Sequence, residues 1–292
     1  MPVPDRRLHA GLAAPVAAVL LAAVLFLAVA GPAAAAFYHG ADRDHIDKML
    51  AEFAQSPPTV PVVYLLGGSA ARESITDEPS WSAQIAAMGG GRVLALDFGS
   101  SSQTFDYDTG IVRAAPAVPS IVLIGLNVGR YTTTPPAPPA AAPRAGAAVY
   151  DPHRFHVGNQ LGDAAKRAIV RRWLAVKYPR FRRRYAGDYA ALRELIQTCQ
   201  EMGFYPVLVE EPIDRQIIGH AWDAARDRYR RDARAAAADY GIPYVDFVPD
   251  IGLTSNDFVD VSHLVEPGRA KYQRRLSRLV VTWIEQYGLR AE

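Results

Sequence analysis

The stretch VVYLLGGSAARE (residues 62–73) decides the fold, because an apolar run leads into two glycines and then Ser69. The run has the length and β-branched content of a buried strand, and the glycines allow a sharp turn after it. Ser69 is therefore predicted at the carboxyl end of a strand, where open α/β sheets bind ligands. Two interpretations stay open here: Ser69 is a nucleophile on a tight turn, or it caps the next helix.

Strand and helix patterns alternate along the rest of the chain. Strands are predicted at 60–66, 92–98, 120–124, 204–209 and 242–248. Helices are predicted at 39–55, 79–88, 105–114, 161–178, 189–202, 222–240 and 266–287. This alternation predicts one α/β domain over 60–290, with a mostly parallel five-stranded sheet and helices on both faces. A proline-rich loop at 132–146 belongs to an elaboration at 131–185, and 37–59 is interpreted as a helical linker.

The first 36 residues have the pattern of a targeting segment. Arg6 and Arg7 precede an apolar run at 10–30, and small residues follow up to Ala36. This pattern is typical of a signal peptide, and the run is also about long enough to anchor the chain in a membrane. Because the basic residues lie on the N-terminal side, either interpretation predicts that the rest of the chain is extracytoplasmic.

The net charge argues against nucleic acid as a partner, and the cysteine content excludes an internal disulfide. The 292 residues carry a formal net charge of only +2, which gives no global field for nucleic acid. The single cysteine, Cys199, excludes an internal disulfide and is predicted to be buried in a helix. A basic cluster at Arg180–Arg184 is interpreted either as a solvated helix face or as a site for anionic lipid or polymer.

A second chemical pattern lies near the C-terminus, where Asp260 precedes His263 by three residues. A carboxylate at this spacing can orient the imidazole and stabilise its protonated form, although a surface turn with a capping Asp has the same spacing. Gly99 and Asn127 each follow a predicted strand and could donate hydrogen bonds to an oxyanion, or could be ordinary turn residues. These groups and Ser69 are expected to converge on one edge of the sheet.

Together these residues resemble the blocks of the SGNH hydrolases, also called GDSL-type esterases. The resemblance extends over roughly 60–287. It implies a flavodoxin-like three-layer α/β/α fold and no metal or organic cofactor. It also implies a catalytic set of Ser69, His263 and Asp260, with an oxyanion hole formed by Ser69, Gly99 and Asn127. The sequence departs from the family pattern in having Gly68 before the serine and Val128 after the asparagine.

The resemblance implies a serine esterase that acts through an acyl-enzyme. With the N-terminal segment, it predicts an extracytoplasmic enzyme whose substrate is an acyl ester, chiefly acetyl, of a carbohydrate or cell-envelope glycan. Two alternatives remain: an acyltransferase that uses the same site with a sugar acceptor, and a non-catalytic glycan-binding module on the same fold.

Overall fold

The computed structural model describes residues 42–133 and 157–290. One parallel sheet has the strand order β2-β1-β3-β4-β5. The strands are β1 (Val62–Leu66), β2 (Leu94–Asp97), β3 (Ser120–Leu126), β4 (Tyr205–Glu210) and β5 (Tyr244–Val245). This order is flavodoxin-like, with the change of direction between β1 and β3, and such sheets bind ligands beyond the carboxyl ends of the strands at that point. The predicted five-stranded parallel sheet is confirmed.

Helices cover both faces of the sheet. Their bounds are α1 (42–55), α2 (Ser69–Arg72), α3 (Glu78–Ile85), α4 (Phe105–Ala114), α5 (Asp163–Arg172), α6 (Tyr178–Glu201), α7 (Arg215–Ile218), α8 (Asp223–Tyr240) and α9 (Glu266–Gln286). One core contains side chains of α1, α4, α6 and α8, and a second contains side chains of α3 and α9. In β1, Tyr64 faces the first core while Val63 and Leu65 face the second, as the period of two in a strand requires.

The segment between β3 and β4 differs from the sequence prediction. The predicted break at 179–188 is helical, because a π-helical turn (Trp173–Lys177) joins α5 directly to α6. Pro179 lies in the first turn of α6, where its missing N–H costs little. Phe181 and Tyr185 of this segment are buried in the first core. The described part of the elaboration is therefore packed against the sheet.

The last strand is also shorter than predicted. β5 covers only Tyr244–Val245 and pairs with β4 alone, and a 3₁₀ turn (Val248–Ile251) follows it. Two other predictions are confirmed. Helix α4 has the predicted bounds, and Cys199 is buried.

Within the described ranges, no helix is both long enough and apolar enough to cross a bilayer. The predicted signal or anchor segment at 1–36 lies outside the described residues. The proline-rich loop predicted at 132–146 also lies outside them, apart from its first two residues.

Candidate active site

The register of the sheet brings three strand ends to one level. Leu66 of β1 pairs with Ile124 of β3, and Leu126 of β3 pairs with Glu210 of β4. The residues that follow these strands therefore meet at the carboxyl edge. Ser69 follows β1, Asn127 follows β3 and Glu211 follows β4, so the switch point of the sheet carries three polar side chains.

Ser69 is the first residue of α2 rather than its cap. The capping position is occupied by Gly68, and no side chain caps this helix, so the interpretation of Ser69 as a helix cap is wrong. Gly67 is required in the turn, because a Cβ there would lie 2.5 Å from both the Ala71 Cβ and the Glu211 Oε1. The Ser69 hydroxyl instead lies 2.8 Å from Nε2 of His263.

His263 is held by the turn that contains Asp260. A bridge between Phe258 and Leu264 closes this turn, and the N–H of Val259 donates to the carbonyl of His263 at 2.8 Å. Asp260 Oδ2 lies 2.7 Å from His263 Nδ1. Asp260 Oδ1 accepts from the N–H groups of Ser262 at 2.9 Å and of His263 at 3.0 Å. The alternative, in which Asp260 caps the following helix, is wrong, because α9 begins after Val265.

The charge state of Asp260 suits an orienting role. Burial alone would raise the pKa of this carboxyl, but the adjacent His263 ring and the two backbone donors outweigh burial and lower it below its ordinary value. Asp260 is therefore a stable carboxylate against Nδ1, which leaves Nε2 directed at the Ser69 hydroxyl. The structure brings these three predicted residues into one hydrogen-bonded chain.

Of the three predicted oxyanion donors, Asn127 and Gly99 have different positions relative to Ser69. Asn127 lines the same pocket as Ser69 and His263. Its Oδ1 accepts from the N–H of Arg130 at 3.1 Å, and its Nδ2 donates one hydrogen to Glu211, which leaves the second Nδ2 hydrogen for an oxyanion. Gly99 does not line this pocket, and its N–H donates to Asp97 Oδ1 at 3.1 Å. The structure therefore does not support Gly99 as an oxyanion donor.

Contacts of the turn after β2 explain why Gly99 does not face the pocket. The carboxylate of Asp97, at the end of β2, folds back onto the turn that follows and takes the glycine N–H. The Gly99 position also packs against α2, with a Cβ built there only 2.8 Å from the backbone nitrogen of Arg72. The glycine is needed for this close approach. Ser102 is the residue of this turn that lines the pocket. Its φ is 58°, and among the described residues it is the one non-glycine residue with a positive φ.

Glu211 is a site residue that the sequence analysis missed. Its carboxylate is 2% exposed and accepts from the Nδ2 group of Asn127. Burial raises the pKa of Glu211 to about 7, although the charge of Arg130 and the N–H of Gly68 oppose this effect. Space for the carboxylate exists because Gly125 has no side chain: a Cβ there would lie 2.4 Å from Glu211 Oε1. The signal in the sequence was the acidic pair Glu210-Glu211, which follows the predicted strand at 204–209.

The pocket beside Ser69 has a volume of about 490 Å³ and is also lined by Asn127, Asp260 and His263. Beside Ser69 and His263, its wall includes Trp173 and Trp222, whose rings lie 4.7 Å apart at their centroids. Arg130 also lines the pocket, but it is buried and paired with Asp108. The volume is within the range of small-molecule sites. In the part of the chain that the structure describes, no group of three or more His, Cys, Asp or Glu side chains could hold a metal ion.

The fold and the site together define a flavodoxin-like α/β protein with a serine–histidine–aspartate chain at its switch point. No protein-family model and no curated protein matches the sequence. Among solved structures, a Streptococcus pneumonia protein provisionally described as a platelet activating factor has 10% identity and a TM-score of 0.51. That match covers 87% of this chain and 99% of the other.

Two further solved structures are similar to this chain. TesA has 12% identity and a TM-score of 0.47, over 76% of this chain and 99% of its own. Axe2, an acetylxylan esterase from Geobacillus stearothermophilus, has 14% identity and a TM-score of 0.44, over 75% of this chain and 93% of its own. At these identities the similarity is one of fold.

Proposed function

We propose that the protein is a serine esterase that removes an acyl group, chiefly acetyl, from a carbohydrate. The observation that carries this proposal is the continuous contact from Asp260 through His263 to Ser69, at 2.7 and 2.8 Å, inside a pocket. A serine with a base in hydrogen-bond reach, and a carboxylate that orients the base, is the arrangement that activates a hydroxyl nucleophile.

The reaction follows from these contacts. The Ser69 Oγ attacks the ester carbonyl carbon while His263 Nε2 takes the hydroxyl proton, and Asp260 stabilises the imidazolium. The tetrahedral oxyanion is stabilised by the Ser69 N–H and the Asn127 amide. The carbon–oxygen bond to the sugar then breaks, and the leaving alkoxide takes the proton from Nε2. Water attacks the acyl-enzyme in the second step, with His263 as base, and Ser69 recovers its proton.

Transfer to a sugar hydroxyl differs from hydrolysis only in the acceptor of the second step, so the same site supports the predicted acyltransferase activity. A non-catalytic module would need no hydrogen-bonded base on Ser69, and the contact to His263 favours an enzyme. The extracytoplasmic location is proposed from the pattern of residues 1–36 alone. Mass analysis of the mature N-terminus, and fusion to a reporter active only outside the cytoplasm, test it.

The decisive experiment is covalent labelling with a fluorophosphonate, mapped by mass spectrometry, together with hydrolysis of p-nitrophenyl acetate. Labelling of Ser69 and turnover are expected in the native protein. Ser69→Ala should lower kcat by roughly 10⁴- to 10⁶-fold and remove the label. Ser56→Ala, which changes an exposed serine outside the pocket, is the matched control and should behave like the native protein. Full turnover in the Ser69 variant would refute the assignment.

A further inference from the structure

One face of the helical segment α5–α6 lines the pocket next to the candidate catalytic residues. The lining positions recur at intervals of three or four, as one face of a helix does: Ile169, Arg172, Trp173, Val176, Lys177 and Arg180. The pocket wall therefore carries three cationic side chains that the ester hydrolysis described above does not use.

No described residue neutralises these three cations. No acidic residue occurs between 163 and 188, and no hydrogen bond or ion pair joins Arg172, Lys177 or Arg180 to another described residue. Asp260 is the acidic side chain of this pocket wall, and its oxygens are already engaged with His263 and backbone N–H groups. The wall therefore has an excess of positive charge, which a bound anion would neutralise.

The cations act on one another across this wall. Desolvation, and then the charges of Arg180 and Arg172, lower the pKa of Lys177 against the attraction of Asp260. Like charges on one pocket wall repel each other, and a bound anion would relieve that repulsion. The other arginines of the basic cluster at Arg180–Arg184 do not line the pocket. Arg182 and Arg183 lie outside it, and Arg184 pairs with Asp188 at 3.4 Å.

A second observation comes from Trp222. This residue lines the pocket and is 5% exposed, and its indole Nε1 is buried with no hydrogen-bond partner among the described residues. The adjacent ring of Trp173 adds an apolar surface of the kind that contacts sugar rings.

We infer that the pocket binds a negatively charged saccharide, so that the substrate is an acyl ester on an acidic sugar bearing a carboxylate, sulfate or phosphate. The cations of the α5–α6 face bind the anionic group, and the rings of Trp173 and Trp222 on the same wall contact the sugar. The sugar hydroxyl that carries the acyl group then lies at Ser69. This inference rests on the proposed esterase function, since it names the substrate class of the same site.

Two triple variants of equal charge test the inference. The pocket variant is Arg172→Gln, Lys177→Gln and Arg180→Gln. The control variant is Arg171→Gln, Arg182→Gln and Arg183→Gln, which removes three exposed charges of the same segment outside the pocket. All six side chains are exposed, so both variants should fold, and circular dichroism checks this.

The assay compares acetylated galacturonate oligomers, which carry carboxylates, with acetylated xylo-oligomers, which carry none. The native protein should prefer the acidic ester, and the ratio of the two kcat/KM values should fall roughly tenfold or more in the pocket variant. The control variant should keep the native ratio. A ratio unchanged in the pocket variant, or lowered equally in both variants, would overturn the inference; the second result would indicate general attraction of anionic polymer or lipid.

A binding measurement separates this inference from the proposed function. Calorimetry with Ser69→Ala and unacetylated oligomers should show tighter binding of galacturonate than of the xylo-oligomer, and the pocket substitutions should remove the difference. If the native protein hydrolyses neither ester but this binding difference is present, the esterase proposal fails and the anionic site remains. Equal binding of both oligomers overturns the anionic site whether or not the esters are hydrolysed.

Discussion

Replacing Glu211 by glutamine should remove a pH dependence of stability that this buried carboxyl imposes on the fold. The side chain lies between two glycine positions and accepts from Asn127, with 2% of its surface exposed. Burial raises its pKa from 4.5 to about 7, and the nearby carboxyls of Asp108 and Glu210 add to this effect, while Arg130 opposes it. Glutamine has nearly the same shape and does not ionise.

The sign and size of the effect follow from proton linkage. A carboxyl whose pKa is raised by folding binds its proton more tightly in the folded chain. Its favourable contribution is therefore complete below about pH 4.5 and is lost as the pH rises through about 7. A rise from 4.5 to about 7 corresponds to roughly 3 kcal/mol of unfolding free energy, at about 1.4 kcal/mol for each tenfold change in proton affinity.

The assay is urea-induced unfolding followed by tryptophan fluorescence between about pH 4.5 and about pH 8. The difference in unfolding free energy, native minus Glu211→Gln, should decrease by roughly 3 kcal/mol over this range. Other buried carboxyls titrate in both proteins, so the difference isolates this position. Glu285→Gln is the matched control, because that carboxyl is exposed and pairs with Arg290 on the surface. Parallel pH profiles for the native protein and the Glu211 variant would refute the reasoning.

Asn127→Ala should lower kcat by roughly 10²- to 10³-fold with little change in KM, because the amide is used in the transition state; a loss confined to KM would contradict this role. Asp260→Asn should lower kcat by about 10⁴-fold through loss of the preferred imidazole tautomer, measured with p-nitrophenyl acetate, and near-native turnover would exclude the orienting role. Gly67→Ala should destabilise the fold by roughly 1–3 kcal/mol, since its Cβ would lie 2.5 Å from Glu211, whereas Gly68→Ala should be tolerated with its nearest neighbour at 3.7 Å. Equal melting temperatures of these two glycine variants would contradict the packing argument.

The sequence alone determined the elements whose patterns are local. The apolar run before Gly67 predicted β1, the periodicity at 105–114 predicted α4 with its observed bounds, and the alternation of strands and helices predicted a parallel sheet. The order of residues after strands also predicted that Ser69, Asn127 and the Asp260/His263 pair would meet, since parallel strands end at one edge. The signal or anchor role of 1–36 stays a prediction.

Only the tertiary structure decided which groups face the pocket. Gly99 follows a strand as Asn127 does, yet Asp97 takes its N–H and α2 covers it, and no sequence pattern encodes that contact. Glu211 and the cationic face of α5–α6 enter the site because the β4 register and a π-helical turn orient them. Side-chain direction at a strand end and across a helix junction depends on packing between distant segments, so spacing along the chain could not specify it.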